Sequence, residues 1–159
     1  MVWLALLGKL NTKDRLMKKK MIPEELNHCT FCHNHIEDID HILMSCSVSW
    51  SIWEVIAADM GVQIVTQDNI RDFYASWINR RFTNKTRRKL WLASFFSTLW
   101  SLWMQRNAIL FKQQTMNVES LCHIIKCRVA TWSKTWEEKI PYSADLLVQN
   151  FQSIPMLFK

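Results

Sequence analysis

The sequence predicts an all-α fold, a four-helix-type bundle with a small N-terminal loop module. The 159 residues include only two glycines and three prolines, so few turn residues are available for a β meander and long uninterrupted helices are favoured. Nine tryptophans and eight phenylalanines can form a large core, because each aromatic side chain buries roughly 150–250 Å². Apolar residues also recur at three- and four-residue intervals after residue 47, which is the period of an amphipathic helix.

The N-terminal part of the chain predicts short elements rather than long ones. Residues 1–20 indicate two short helices separated at Asn11-Thr12, and the hydroxyl of Thr12 is a suitable cap for the second of them. Residues 21–46 show no regular period. Because they hold four of the five histidines and three of the five cysteines, we interpret them as a compact loop-rich module.

Four longer helices follow, predicted at 47–60, 67–82, 85–112 and 118–139. Gly61 fits the left-handed position that ends the first helix, and Pro141 stops the fourth. The third is apolar around much of its circumference and is expected at the centre of the bundle. Its apolar run, 90–104, is shorter than the ~18–20 residues that cross a bilayer, so we expect a buried helix and no membrane partner. The remaining residues, 141–159, carry no strong signal.

The charge distribution suggests a polyanionic partner. The formal net charge is +6, and between Arg71 and Lys112 the chain carries nine basic residues against one acidic residue. Such a block favours nucleic acid ahead of a membrane surface, although a solvated helix face is equally compatible with charge alone. The candidate phosphate-contacting residues are Lys18, Lys19, Lys20, Arg80, Arg81, Lys85, Arg87, Arg88 and Lys89.

No pattern in the sequence predicts catalysis. The chain has no G-x-S-x-G, no glycine-rich phosphate loop and no H-E-x-x-H, so we expect neither an enzyme nor a small-molecule substrate. Asp38 and Asp40 resemble a metal-binding carboxylate pair but have no partners elsewhere, and we interpret them as a solvated loop. Five cysteines without a signal peptide favour reduced thiols or metal ligands in an intracellular protein, nuclear or cytoplasmic.

One spacing carries a specific chemistry. Cys29, Cys32, His41 and Cys46 read C-x2-C-x8-H-x4-C, and three thiolates with one imidazole can complete a zinc tetrahedron. All four positions would then be protein ligands, so a single structural Zn²⁺ is predicted, which would hold together a segment with few apolar residues. Two alternatives stay open: His35 could replace His41, or the thiols could be buried as small apolar groups beside a hydrogen-bonded histidine.

A second group of metal-ligand residue types lies in the fourth predicted helix. It consists of Cys122, His123 and Cys127. Because residues five apart on a helix point in different directions, we assign this group to packing and surface roles.

Several motifs in order resemble one known family. They lie at 3–6, at 8–16, at Cys29 and Cys32, at 37–43, and at Cys46 and Trp53. This order is similar to the zinc-binding domain that follows reverse transcriptase in plant non-LTR (LINE-type) retrotransposons. The later W-x2-W-x2-R-N-x3-F segment, 100–111, looks like one that often trails that domain.

The resemblance implies a zinc-binding module with a role in reverse transcription. It carries the ligand roles to Cys29, Cys32, His41 and Cys46, and it implies a parent polyprotein with endonuclease and polymerase domains. We accordingly divide the chain into a zinc-binding module at 1–60, a helical region at 61–140 that packs on it, and a C-terminal tail at 141–159.

Two functions follow from these observations. The first is a zinc-stabilised, non-catalytic accessory domain that binds RNA or DNA without sequence preference through phosphate contacts. The second is a structural or protein-interaction module that docks on a reverse transcriptase domain without binding nucleic acid. Convergence of the basic residues on one face favours the first, and scatter favours the second.

The tryptophans are at helical core spacing, so we assign them to the core rather than to base stacking.

Overall fold

The computed structural model describes residues 1–159 and confirms the all-α prediction, with helices and no strand. Shorter turns occur as 3-10 helices at Glu24–Leu26 and Phe151–Ser153 and as a π-helical turn at His41–Ser45. The α-helices are α1 (Val2–Leu6), α2 (Lys13–Lys18), α3 (Ser47–Asp59), α4 (Ile70–Ile78), α5 (Lys85–Lys112), α6 (Val118–Ser133), α7 (Ala144–Gln149) and α8 (Ile154–Leu157).

Side-chain caps set the starts of three of the four main helices. The side chains of Asn69, Asn84 and Asn117 each accept a hydrogen bond from the backbone N–H three residues later, a contact that stabilises a helix by about 1 kcal/mol. The first cap explains why α4 begins at Ile70 and not at residue 67. Helix α5 has the predicted bounds.

Two predicted helices end earlier than expected. Helix α4 stops at Ile78, so the predicted continuation to residue 82 is wrong. Helix α6 stops at Ser133, six residues before the predicted end. After Ser133 the chain turns back, the Lys134 ammonium donates to the carbonyl of Tyr142, and Ile140 becomes buried. A helix continued to residue 139 would not allow this return.

An aromatic cluster joins α3, α4 and α5. Trp77 and Trp91 stack with ring centroids 3.7 Å apart, and each indole N–H donates to the other residue's carbonyl oxygen, at 2.9 and 2.8 Å. Trp53 packs edge-on against Trp77 and Phe73. These rings are fully buried, so the assignment of Trp53, Trp77 and Trp91 to the core is confirmed. It is wrong for Trp3, Trp100 and Trp132, which are exposed.

The core is one continuous cluster of buried apolar residues that runs from Ala5 to Phe158. The tail contributes Leu147, Phe151 and Ile154 to it, although no strong pattern in residues 141–159 predicts this. Gly61 has a φ of +68°, which confirms the predicted left-handed end of α3, and Pro155 lies directly over it. No helix combines the length and apolar character needed to cross a bilayer.

Candidate metal centre

The first cysteine pair lies at the tip of a tight reversal of the chain. The backbone N–H of Cys29 donates to the carbonyl oxygen of His35 at 2.7 Å. The backbone N–H of Glu37 donates to the carbonyl oxygen of Asn27 at 2.9 Å. His33 closes the turn with a φ of +57°, a left-handed conformation that few non-glycine residues adopt. The reversal brings Cys32 back toward Cys29.

The second pair, His41 and Cys46, is positioned by the π-helical turn at His41–Ser45. The backbone N–H of Cys46 donates to the carbonyl of His41 at 2.7 Å, which is the wide five-residue bond of a π-turn. On an α-helix these two side chains would point about 140° apart. The wider turn places both on one side, and a carboxylate oxygen of Asp38 accepts from the His41 N–H at 2.7 Å.

The four predicted ligands converge. One ligand atom from each of Cys29, Cys32, His41 and Cys46 lies within 4.8 Å of all the others. The Sγ atoms of Cys29 and Cys46 are 3.8 Å apart, and Cys32 Sγ is 3.3 Å from His41 Nε2. A tetrahedron with Zn–S bonds of about 2.3 Å has edges of about 3.8 Å, whereas a disulfide would need about 2.05 Å. The donor set and its dimensions therefore fit one zinc ion with no open coordination position.

Local hydrogen bonds prepare one sulfur for a cation. The Cys29 thiol donates to the Cys46 sulfur, and the backbone N–H groups of Ser49 and Val48 also point at it, so the pKa of Cys46 falls from 9.0 to about 5. Cys46 lies at the N-cap of α3, where the positive end of the helix dipole favours a thiolate. The same contact and burial raise the pKa of Cys29. Binding of a metal would displace the proton that Cys29 retains.

A buried carboxylate supports the cysteine turn from behind. Glu37 is fully buried, and its Oε2 accepts from the backbone N–H of Thr30 at 2.9 Å and from the Thr30 hydroxyl. Its Oε1 accepts from the backbone N–H of Lys13 at 3.1 Å and from Arg106 Nη2 and Nε at 2.7 and 3.1 Å. Glu37 thus joins the turn between the cysteines, the start of α2 and the C-terminal part of α5.

The same carboxylate replaces the predicted cap of α2. Thr12 occupies the N-cap position, but its hydroxyl makes no capping bond, so that expectation is wrong. Glu37 takes the N–H of Lys13 instead. Sequence reasoning missed Glu37 and Arg106 as site residues. The available signal was that an acidic residue, Glu37, lies in the motif at 37–43 and a basic residue, Arg106, lies in the motif at 100–111.

The other histidines and the two aspartates near the site are not part of the four-residue cluster. His35 Nδ1 is 3.9 Å from Cys32 Sγ and its ring centroid is 5.0 Å from that of His41, but it is exposed and outside the four-residue cluster. His28 and His33 are also exposed. Asp40 accepts from the N–H of Ile70 at 2.8 Å, so it and Asp38 cap backbone groups.

The second cysteine group divides between core and surface. Cys122 is buried in the core, and burial raises the pKa of its thiol. Cys127 Sγ lies 3.5 Å from His123 Nε2 on the outer side of α6. The three side chains do not converge on one point, in line with the interpretation from the sequence.

The predicted phosphate-contacting residues form two patches. The α2 patch consists of Lys18, Lys19 and Lys20; Lys19 Nζ donates to the Asn11 side chain, and the Asn11 carbonyl accepts from Arg106. The other six residues lie around the start of α5. Through Asn11 the α2 patch lies beside Arg106, whereas Arg88 lies at the start of α5. These two arginines are eighteen residues apart on one helix, so about 27 Å along its axis separates the two basic patches.

The six residues near the start of α5 are not equivalent. Arg87 is half-buried and donates to the carbonyl of Met60 at 2.9 Å, and Lys89 pairs with Glu138 at 3.0 Å. These two cations have structural partners. The α5 patch, as we define it, consists of the four exposed cations Arg80, Arg81, Lys85 and Arg88.

Comparison with known proteins identifies the N-terminal third of the chain. Residues 1–53 match the model of a family described as zinc-binding in reverse transcriptase, which confirms the resemblance to a reverse transcriptase zinc-binding domain over that segment. Searches of curated proteins and of solved structures give no significant match. The matched segment contains all four residues of the Cys3His cluster, so family and geometry together indicate one structural zinc ion. Arg106 lies far outside the matched segment.

Proposed function

We propose that the chain is a zinc-stabilised, non-catalytic nucleic-acid-binding accessory domain derived from the reverse transcriptase polyprotein of a retrotransposon. The observation that carries the proposal is a Cys3His zinc site inside a segment of the reverse transcriptase zinc-binding family, joined to a basic surface. Lys85 and Arg88 of the α5 patch lie in the first turn of α5, and Arg80 and Arg81 lie in the segment between α4 and α5. A closed four-ligand zinc site supplies rigidity and no open position for chemistry.

The charge arrangement supports phosphate contact rather than base reading. The α5 patch surrounds the N-terminus of α5, where the helix dipole adds positive potential. Exposed arginine and lysine side chains on a helix start contact phosphates without distinguishing bases. Binding is therefore independent of sequence and weakens as salt rises, because each phosphate contact releases a counterion.

A charge-matched pair of variants tests this proposal. Changing all four residues of the α5 patch to glutamine should weaken binding of the zinc-loaded chain to a 20-nucleotide RNA and a 20-base-pair DNA, measured by fluorescence anisotropy. The salt slope should fall by up to ~0.9 for each lost duplex phosphate contact. The control variant likewise replaces four exposed cations by glutamine, and these are Lys9, Lys112, Lys139 and Lys159. It should bind RNA and DNA nearly as the wild type does.

Either of two outcomes would overturn the proposal. Negligible affinity of the wild type at 50 mM salt would remove nucleic acid as a partner. An equal loss in both variants would show attraction by net charge alone and no defined binding surface.

Docking on a polymerase domain is the second candidate function. Trp3 and Phe111 are 70% and 78% exposed, which is unusual for aromatic side chains in a finished surface, and the separation of the two basic patches favours docking over a single phosphate track. In this account, Trp3→Ser and Phe111→Ser should abolish co-purification with the reverse transcriptase domain of the same element. Nucleic-acid affinity should not change.

A further inference from the structure

We infer that Arg106 is a positioning residue for the zinc site: acting through Glu37, it fixes the Cys29–Cys32 turn from the C-terminal part of α5. The unit that holds the metal then includes α5 and extends well beyond the family-matched residues 1–53. This inference concerns the metal centre alone and does not depend on nucleic-acid binding.

The contact to the turn is direct. Glu37 Oε2 holds the backbone N–H and the hydroxyl of Thr30, and Thr30 is the residue that follows Cys29. The peptide N–H groups of this turn also face sulfur, since the Phe31 N–H lies 3.4 Å from Cys29 Sγ. A shift of the carboxylate would therefore move the backbone that sets the separation of Cys29 and Cys32.

Arg106 is the ion-pair partner of this carboxylate in the interior. Its guanidinium is the one cationic group within ion-pair distance of Glu37, and the two side chains are 4% and 0% exposed. Lys13 contacts Glu37 through its backbone N–H, but its ammonium donates to the carbonyl of His28 instead. Without Arg106 the buried carboxylate would lose its ion-pair partner and move toward water, which alters its hold on Thr30.

The guanidinium of Arg106 is also held in place by groups other than Glu37. Nη2 also donates to the carbonyl of Asn11 at 3.3 Å, Nη1 donates to the Asn107 side chain at 3.1 Å, and the group lies 4.8 Å from the ring centroid of Trp103. A lysine ammonium cannot reproduce this planar set of donors. The position of Arg106 on the long, buried helix α5 is thus transmitted to the turn.

The test compares zinc affinity with stability in the full chain. The zinc dissociation constant, measured by competition with a chromogenic chelator, should rise by about 10–100-fold in Arg106→Met, the usual effect of losing a partner that orients a metal ligand. Arg106→Lys should lie between that variant and the wild type. The control is Leu90→Ala, because Leu90 is fully buried and lies about 24 Å from Arg106 along α5. It should lower the Tm and leave the zinc dissociation constant within twofold of the wild type.

A purely supporting role of Arg106 gives a different result. If Arg106→Met lowers the Tm as Leu90→Ala does but leaves zinc affinity within twofold of the wild type, the inference is overturned. Should Arg106→Met fail to fold, Glu37→Gln provides the second variant, because the amide keeps the shape of the side chain and removes its charge. It should weaken zinc binding at least tenfold, and unchanged affinity would equally overturn the inference.

Coupling must also operate in reverse, since linkage between two sites is reciprocal. Removal of zinc from the wild-type chain should raise amide hydrogen exchange in α5 around residues 103–109 but not at 86–92. Equal or unchanged exchange in the two segments would contradict the coupling.

Discussion

The sulfur of Cys46 illustrates how the fold adjusts a single side chain. A donor thiol from Cys29 and two backbone N–H groups at the start of α3 hold its pKa at about 5. A thiolate is the form that binds zinc, so at neutral pH this ligand is already deprotonated. Cys29, whose pKa is raised, has to lose its proton when the metal arrives.

The depressed pKa of Cys46 predicts a pH dependence in the metal-free chain. Because its pKa is about 5 when folded and 9.0 ordinarily, the thiolate stabilises the folded state fully above pH 9, and this contribution is lost as the pH falls to about 5. The free energy of unfolding should therefore decrease between pH 7 and pH 5. Thiolate absorbance near 240 nm should fall over the same range, and a Cys46→Ser variant that titrates identically would refute the assignment.

Ligand identity is also decided at the level of single residues. Cys32→Ser or His41→Ala should abolish stoichiometric zinc and loosen residues 25–50, while the helical circular dichroism stays largely intact because most helical residues lie in α3 to α6. His35→Ala is the matched control: His35 lies beside the site but outside the cluster and should retain one zinc. Metal analysis by mass spectrometry separates these results, and zinc retained by His41→Ala but lost by His35→Ala would exchange the two roles.

Single residues also show what sequence reasoning can and cannot find. The spacing of the cysteines and histidines predicted a four-ligand zinc site but left His35 open beside His41; in the structure His41, and not His35, lies in the four-residue cluster. The link between Glu37 and Arg106 joins residues 69 positions apart, and no local pattern indicates which buried charges will meet.

At the scale of elements, local signals predicted starts better than ends. Helix α5 agrees with its predicted bounds because Asn84 caps it and its apolar character persists to Lys112. The ends of α4 and α6 depend on how the following chain returns to the core, which is a tertiary effect. The π-helical turn at His41–Ser45 has no simple sequence signature, yet it is what brings His41 and Cys46 together.

The two glycines provide a matched test of how the tail packs on α3. Both have a positive φ, but a Cβ on Gly61 would lie 2.9 Å from Pro155 Cγ, whereas a Cβ on Gly8 meets nothing within 4 Å. Gly8→Ala should cost about 1 kcal/mol for the left-handed backbone alone, and Gly61→Ala roughly 2–3 kcal/mol because the clash is added.

Urea denaturation monitored by tryptophan fluorescence measures both free energies of unfolding. If the two variants lose the same stability, then the tail does not pack on Gly61 as described.

At the scale of the whole molecule, zinc and apolar packing support different parts of one core. The aromatic cluster stabilises α3, α4 and α5 without any metal, whereas residues 21–40 bury only Phe31 besides Cys29 in the core and depend on the Cys3His site. The tail was the least predictable part, because its short helices acquire their order by burying Leu147, Phe151 and Ile154 against the bundle.

Zinc removal should therefore unfold the molecule unevenly. Chelation is expected to loosen residues 21–46 at temperatures where α3 to α6 stay helical, since most of their packing does not involve the metal. In α5 only the segment around Arg106 should lose protection with them. Hydrogen exchange with and without chelator measures this directly, and a simultaneous loss of protection throughout the chain would show that the metal supports the entire fold.

The metal centre is a single Zn²⁺ ion held by three sulfurs and one imidazole nitrogen. Its coordination shell can be measured by zinc K-edge X-ray absorption on the purified chain. We expect one zinc per chain with three sulfur ligands at about 2.3 Å and one nitrogen at about 2.0–2.1 Å. A chain purified without zinc, or a coordination shell made of oxygen ligands, would contradict this expectation.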